Sequence, residues 1–174
     1  LQGLTNQILD ISRMEAGQEK LRVSAGNLSC FIEKTAEKFS QLANERMIDY
    51  QINIPVKRQI LFFEKEKFEK ILVNLISNAF KYSEENTTII FKTALINKHL
   101  LIEITDKGIG IPKKDLNNMF QRFFRAKNTT NIQGTGLGLN IVKQYTELMG
   151  GSISFKSELN VGTTFYLKFP TNIK

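Results

Sequence analysis

Asn74-Leu75-Ile76-Ser77-Asn78-Ala79-Phe80-Lys81-Tyr82-Ser83 decides the fold of this 174-residue chain. It closes a helical run over 65–81. Ile71, Leu72, Leu75, Ile76 and Ala79 recur there at the spacing of one helix face, which should meet a core. Asn74, Asn78 and Lys81 follow at steps of four and three. At 3.6 residues per turn they form a polar stripe beside the apolar one. An amide buried without a partner costs roughly 1–3 kcal/mol, so such a stripe calls for solvent or a ligand. Amide oxygens are hard ligands that suit Mg²⁺, and a lysine adds a point charge for phosphate.

Outward from this helix the pattern alternates. Residues 1–18 carry Leu1, Leu4, Ile8 and Ile11 at helical spacing, with Gly17 as a stop. This apolar stripe has no partner within its own segment. A short strand follows around Leu21 to Val23. Asn27 is a suitable N-cap for a helix over 28–46, whose face holds Leu28, Phe31, Ile32, Ala36, Phe39 and Leu42. Strand-like runs at 48–54 and 59–63 flank Pro55. Beyond the central helix, alternating runs at 87–96 and 100–105 meet across Asn97-Lys98-His99 as a hairpin.

Residues 106–136 are rich in Gly, Asn, Thr and Lys. They hold one short helical stretch at 113–120 and otherwise a long loop, of a length that goes with function. A helix over 137–149 ends at Gly150-Gly151. Strands at 152–157 and 163–169 are joined by a turn at Asn160 to Gly162. The expected fold class is α+β: a two-layer sandwich of a mixed, mostly antiparallel sheet with helices on one face, preceded by a helical remnant. The expected division is 1–18 and 19–174.

Two further motifs carry chemistry. Asp106-Lys107-Gly108-Ile109-Gly110 follows a strand directly. A carboxylate there can accept from an exocyclic amine, and glycines let the backbone approach a flat base. Gly134-Thr135-Gly136-Leu137-Gly138-Leu139 opens a helix, where backbone N–H groups and the helix dipole favour an anion. Its spacing is neither that of a Walker A loop nor that of a dinucleotide fingerprint.

The order of these pieces resembles that of the catalytic domains of sensor histidine kinases. Asn74 to Ser83 resembles their N box, Asp106 to Gly110 their G1 box, and Phe120-Gln121-Arg122-Phe123-Phe124-Arg125 their F box. Gly134 to Leu139 resembles the G2 box, and Gly162-Thr163-Thr164-Phe165 the closing Gly-Thr strand. The likeness covers roughly residues 20–170. It implies the Bergerat ATP-binding fold, shared with type II topoisomerases, mismatch-repair ATPases and heat-shock chaperones. Within it, Asn74 and Asn78 should hold Mg²⁺ and the ATP phosphates, with Asn74, Asn78 and Lys81 as the catalytic set. Lys81 should touch phosphate and Tyr82 should lie near the adenine. Asp106 should take the adenine amine, with Gly108 and Gly110 lining the base. Phe120, Phe123 and Phe124 should anchor a lid, with Arg125 near the phosphates. Gly134, Thr135, Gly136, Leu137 and Gly138 should cradle the phosphates, and Thr164 should support the adenine end. Glu64 and Lys70 depart from the common Asp and Gln of the family.

Hydrolysing relatives in this superfamily place a Glu four residues before the second Asn, to activate water. Here that position is Asn74, which cannot act as a base. The resemblance therefore implies donation of the γ-phosphate to a histidine on a dimerisation and histidine-phosphotransfer domain, and onward to a response-regulator receiver domain. The parent would be a homodimer and a membrane-anchored bacterial sensor, with this part cytoplasmic. Residues 1–18 resemble the end of that domain's second helix, so the acceptor histidine would lie outside this sequence. A serine/threonine switch kinase of the same superfamily would lack this preceding helix and the Phe120–Arg125 lid. A nucleotide-binding ATPase module would want Glu at position 74.

Composition sets the outer bounds. Hydrophobic residues make up 41% of the chain and 13 are Phe, enough for a substantial core. Cys30, the single cysteine, excludes an internal disulfide and reads as core on an apolar face. His99, the single histidine, reads as a surface turn residue. The net charge of +7 fits scattered solvated lysines or a polyanionic ligand, with no nucleic acid expected. No window approaches the apolar length of a membrane span.

Overall fold

The central helix forms as α4 (Lys65–Tyr82), with the side chain of Glu64 capping it by accepting from the Lys67 N–H. The computed structural model describes residues 2–55 and 60–171, so Leu1 and residue 59 lie outside the described residues. The apolar face of α4 is buried as its spacing requires: Ile71, Leu72, Leu75 and Ile76 have no exposed surface. Burying side chains of this size contributes roughly 1.5–3 kcal/mol each.

The other elements are α1 (Gln2–Glu15), β1 (Val23–Asn27), α2 (Leu28–Glu37), α3 (Ser40–Glu45), β2 (Asp49–Asn53), β3 (Ile60–Glu64), β4 (Thr88–Ile96), β5 (His99–Asp106), α5 (Gly138–Leu148), β6 (Ser152–Glu158) and β7 (Gly162–Pro170). Five strands form one sheet in the order β2-β4-β5-β7-β6. Its first pairing is parallel and the other three are antiparallel, as in Ile104↔Phe165. Alternate residues Ile89, Phe91, Ile102, Ile104, Phe165, Leu167 and Phe169 point into the core beneath the helices. The mixed, mostly antiparallel sandwich is thus as expected.

Three local expectations change. The helix over 28–46 is two helices, because the Phe39 N–H bonds to Ala36 at i−3 and tightens the turn. That turn stacks the Phe39 ring on Phe80, with centroids 5.7 Å apart. The short strand near 21–23 lies at 23–27 and pairs with β3 in a separate two-stranded ribbon, a long-range partnership that local pattern does not reveal. The helical stretch at 113–120 is a 3₁₀ segment, Lys113–Asn118. Asn27 does cap α2, accepting from the Cys30 N–H at 3.0 Å. Cys30 itself is half-buried.

The apolar stripe of α1 is divided. Ile11 is buried and Met14 packs beside the core, whereas Leu4 and Ile8 are exposed. Three ion pairs fix this helix and the segment after it to the body: Asp10–Lys70 at 2.9 Å, Glu15–Arg122 at 2.5 Å and Glu19–Lys67 at 2.8 Å. Lys67 is 4% exposed and also faces Glu64, so its pairing is far less screened than a surface contact.

Candidate nucleotide-binding site

The C-terminal half of α4, the end of β5, the long segment 106–136 and the start of α5 enclose a cavity of about 310 Å³. This lies at the small end of ligand sites. α4 lines it with Asn74, Ser77, Asn78, Lys81 and Tyr82, because positions four and three apart share one face. The Asn74 Nδ2 donates to the Lys70 carbonyl at 2.8 Å, which leaves its Oδ1 as the free acceptor. Lys81 lies over the Tyr82 ring at 4.8 Å and has no carboxylate partner among the described residues.

Asp106 is 7% exposed at the strand end. Its Oδ1 accepts from the Gly108 N–H at 2.9 Å and the Thr163 N–H at 3.3 Å. Its Oδ2 accepts nothing from the described residues, although Asp106 lines the cavity. Burial raises the pKa from 3.8 to about 6, against the lowering effect of the two backbone donors. The folded-state value lies above the unfolded one, so this acid stabilises the fold most below pH 3.8 and loses that contribution as pH rises through 6. At neutral pH the buried carboxylate costs on the order of 3 kcal/mol. An amine donor needs the unprotonated form. Affinity for a fluorescent ATP analogue should therefore fall about fourfold between roughly pH 7.5 and 5.5, beyond any fall shared by Asp106→Asn, as read by titration.

The Gly-rich segment runs along α4. A Cβ on Gly134 would lie 2.5 Å from the Lys81 Nζ, and one on Gly138 would lie 2.8 Å from the Asn74 Oδ1. Gly134, Thr135, Gly136 and Gly138 all line the cavity. Phe124 lines it from the lid. Arg125 does so too, but its guanidinium donates to the Thr129 and Ile132 carbonyls, so it organises the lid backbone. Phe120 anchors the lid against Phe155 at 5.6 Å. Phe123 is 66% exposed, so its ring is not packed as an anchor, although its backbone lies against Gly136.

Three expected site residues lie elsewhere. Leu137 is fully buried in the core. Thr164 sits on the opposite face of β7, with its hydroxyl 3.1 Å from that of Thr105. Thr163 lines the cavity instead, as the inward pattern Thr163, Phe165, Leu167, Phe169 requires once the register is known. Gly108 lacks a Cβ for a different reason from the expected one: it packs on the Tyr82 carbonyl, and a Cβ would come within 2.3 Å of that oxygen. Gly110 does line the cavity, but its missing Cβ would strike the Glu158 carbonyl at 1.9 Å. Gln7 of α1, missed in the sequence, lines the cavity from outside the motif region.

The donor set fits a phosphate-bridged metal better than a protein cage. No group of three His, Cys, Asp or Glu side chains that could hold a metal occurs among the described residues. Two amide-bearing side chains, Asn74 and Asn78, line the cavity on one helix. Mg²⁺ is usually bound by few protein oxygens together with substrate phosphates.

The family described as "Histidine kinase-, DNA gyrase B-, and HSP90-like ATPase" matches residues 63–173. The circadian input-output histidine kinase CikA of Synechococcus elongatus is 34% identical over 173 residues, 96% of this chain and 23% of that protein. The signal transduction histidine-protein kinase ArlS of Staphylococcus aureus is 34% identical over 171 residues, 95% of this chain and 37% of that protein. The chain thus spans well under half the length of these relatives. Among solved structures, full-length ShkA in complex with AMPPNP superposes with a TM-score of 0.84 at 23% identity, over 99% of this chain and 36% of that one. The Acinetobacter baumannii histidine kinase AdeS gives 0.78 at 20% identity, over 98% and 78%. At these identities the structures support the fold.

Proposed function

Because the chain belongs to the family of histidine kinase-, DNA gyrase B- and HSP90-like ATPases, we propose that it binds Mg-ATP in this cavity and donates the γ-phosphate to a histidine on a partner helical domain. One observation carries the choice of donation over hydrolysis. Among the described residues that line the cavity the only carboxylate is Asp106, whose Oδ1 is held by two backbone donors. The N-box helix offers Asn74, Ser77, Asn78 and Lys81, none of which is a carboxylate base for water.

In this reading the free Oδ2 of Asp106 accepts the adenine amine and Tyr82 flanks the base. Asn74 and Asn78 would hold Mg²⁺ through their amide oxygens, and the ion would offset charge on the phosphates when bound. Lys81 adds a positive charge, and the backbone of Gly134, Thr135, Gly136 and Gly138 supplies N–H donors. The protein's task is positioning and charge neutralisation, which suffice for phosphoryl transfer.

The acceptor would be supplied by a dimerisation and histidine-phosphotransfer domain. His99, the sole histidine in the sequence, sits in the β4–β5 hairpin with its Nδ1 2.9 Å from the Asn97 carbonyl oxygen. It does not line the cavity. We assign α1 to the end of that partner domain's second helix, the parent to a homodimeric sensor whose kinase portion is cytoplasmic, and the next acceptor to a response-regulator receiver domain. No helix among the described residues is long and apolar enough to cross a membrane. Mixing the chain with Mg-ATP labelled at the γ position and a two-helix histidine domain from a related kinase should label the histidine domain. Substituting the acceptor histidine should abolish the label; label that persists would refute histidine as the target.

A further inference from the structure

Among the described residues of α1, Gln7 alone lines the cavity. Its Oε1 accepts from the Thr135 hydroxyl at 2.9 Å, which ties α1 to the Gly-rich segment. The Nε2 of the same amide donates to nothing among the described residues, so the side chain keeps two unused N–H donors. Gln7 and Asn74 also line a neighbouring open groove between α1 and α4, with Asp10, Arg13, Glu66 and Lys70. These two residues therefore mark where the cavity meets the groove. Asp106 is absent from the groove, so the junction belongs to the phosphate end rather than the base end.

The placement of Gln7 is fixed from two sides. One turn along the helix, Asp10 pairs with Lys70, whose carbonyl in turn holds the Asn74 amide. On the other side, Glu15 pairs with Arg122 of the lid. The amide is thus held between the helix that carries the polar stripe and the segment that wraps the phosphates.

Resting on the Mg-ATP reading, we propose that Gln7 is a positioning residue for the terminal phosphate: its Nε2 donates to the γ-phosphate while its Oε1 holds Thr135. α1 then completes the nucleotide site, and the docked position of α1 becomes sensitive to whether a triphosphate or a diphosphate is bound. The charge-assisted bond forms only when the third phosphate is present. Contacts to the base and the first two phosphates are common to both nucleotides. By linkage, whatever moves α1 away lowers affinity for the triphosphate more than for the diphosphate.

The test is isothermal titration of a non-hydrolysable ATP analogue and of ADP, each with Mg²⁺, into wild type, Gln7→Ala and Gln7→Glu. Gln7 is half-buried on a peripheral helix, so both variants should fold, which thermal melting checks. Gln7→Ala should weaken the triphosphate analogue by roughly tenfold or more and ADP by less than about twofold. Gln7→Glu keeps an acceptor for Thr135 but sets a carboxylate against phosphate. It should weaken the triphosphate further than Ala does, again sparing ADP. Equal losses for both nucleotides would reduce Gln7 to a latch on Thr135 and overturn the proposal, as would no change for either. Failure of wild type to bind either nucleotide would overturn the Mg-ATP reading itself, and this proposal with it.

Discussion

Asp106→Asn should lose at least tenfold in affinity for an ATP analogue while the empty protein becomes more stable. The two effects come from different atoms. Oδ1 already accepts from Gly108 and Thr163, and an asparagine oxygen can accept the same two bonds. The atom that changes is the other one: Oδ2 becomes an NH₂ and meets the adenine amine donor to donor. Losing a bond to a charged acceptor costs about 1.5–3 kcal/mol, roughly ten- to a hundredfold in affinity.

The stability gain comes from removing a buried charge whose pKa stands near 6. Part of the order-of-3 kcal/mol cost is returned, because the new amide group is itself buried without a partner. A net gain of about 1–2 kcal/mol at neutral pH is expected, or a few degrees in Tm. Calorimetry of the empty variant and titration of the analogue read the two effects separately. Loss of both stability and binding would show that the carboxylate holds the fold rather than the ligand.

Gly110→Ala should be among the most damaging single-methyl additions near the site. Gly110 has φ +62°, and its Cβ would lie 1.9 Å from the Glu158 carbonyl oxygen, in backbone that leads into the β6–β7 turn. That turn sets Thr163 against Asp106, so relief of the clash would displace a donor from the site. A comparison at Gly17 separates the strain from the clash. Gly17 has nearly the same φ, +63°, with nothing within 4 Å of its Cβ position. Gly17→Ala should therefore cost only about 1 kcal/mol, the price of a left-handed backbone for alanine. Gly110→Ala should cost at least about 3 kcal/mol, lowering Tm by roughly 6–12 °C. Thermal melting of both variants decides it, and equal shifts would mean that the 106–110 segment yields freely.

What the sequence made legible follows from periodicity. The stripe Asn74, Asn78, Lys81 could be placed because helix geometry fixes relative directions within one element. The β4–β5 hairpin followed from its two alternating runs. The failures have a common cause in long-range packing. The resemblance implies Thr164 at the adenine end, but it places the strand without fixing which face each residue takes, and Thr163 faces the cavity. Gly108 and Gly110 were read as making room for a base, but their Cβ positions are closed by Tyr82 and Glu158, residues far along the chain. The resemblance puts Leu137 in the phosphate cradle, yet its side chain drops into the core. Gln7 could not be found from motif spacing. It reaches the cavity through the docking of α1, which rests on ion pairs from Asp10 to Lys70 and from Glu15 to Arg122, 60 and 107 positions apart. The β1–β3 ribbon was missed for the same reason.

On the proposed function, this cavity keeps ATP intact for a protein acceptor. The direct measurement incubates the wild-type chain with Mg-ATP labelled at the γ position, first alone and then with a histidine-bearing two-helix domain. The prediction is no multiple-turnover release of phosphate in the first case, and label on the acceptor histidine in the second. Steady release of inorganic phosphate by the chain alone, turnover after turnover, would contradict it.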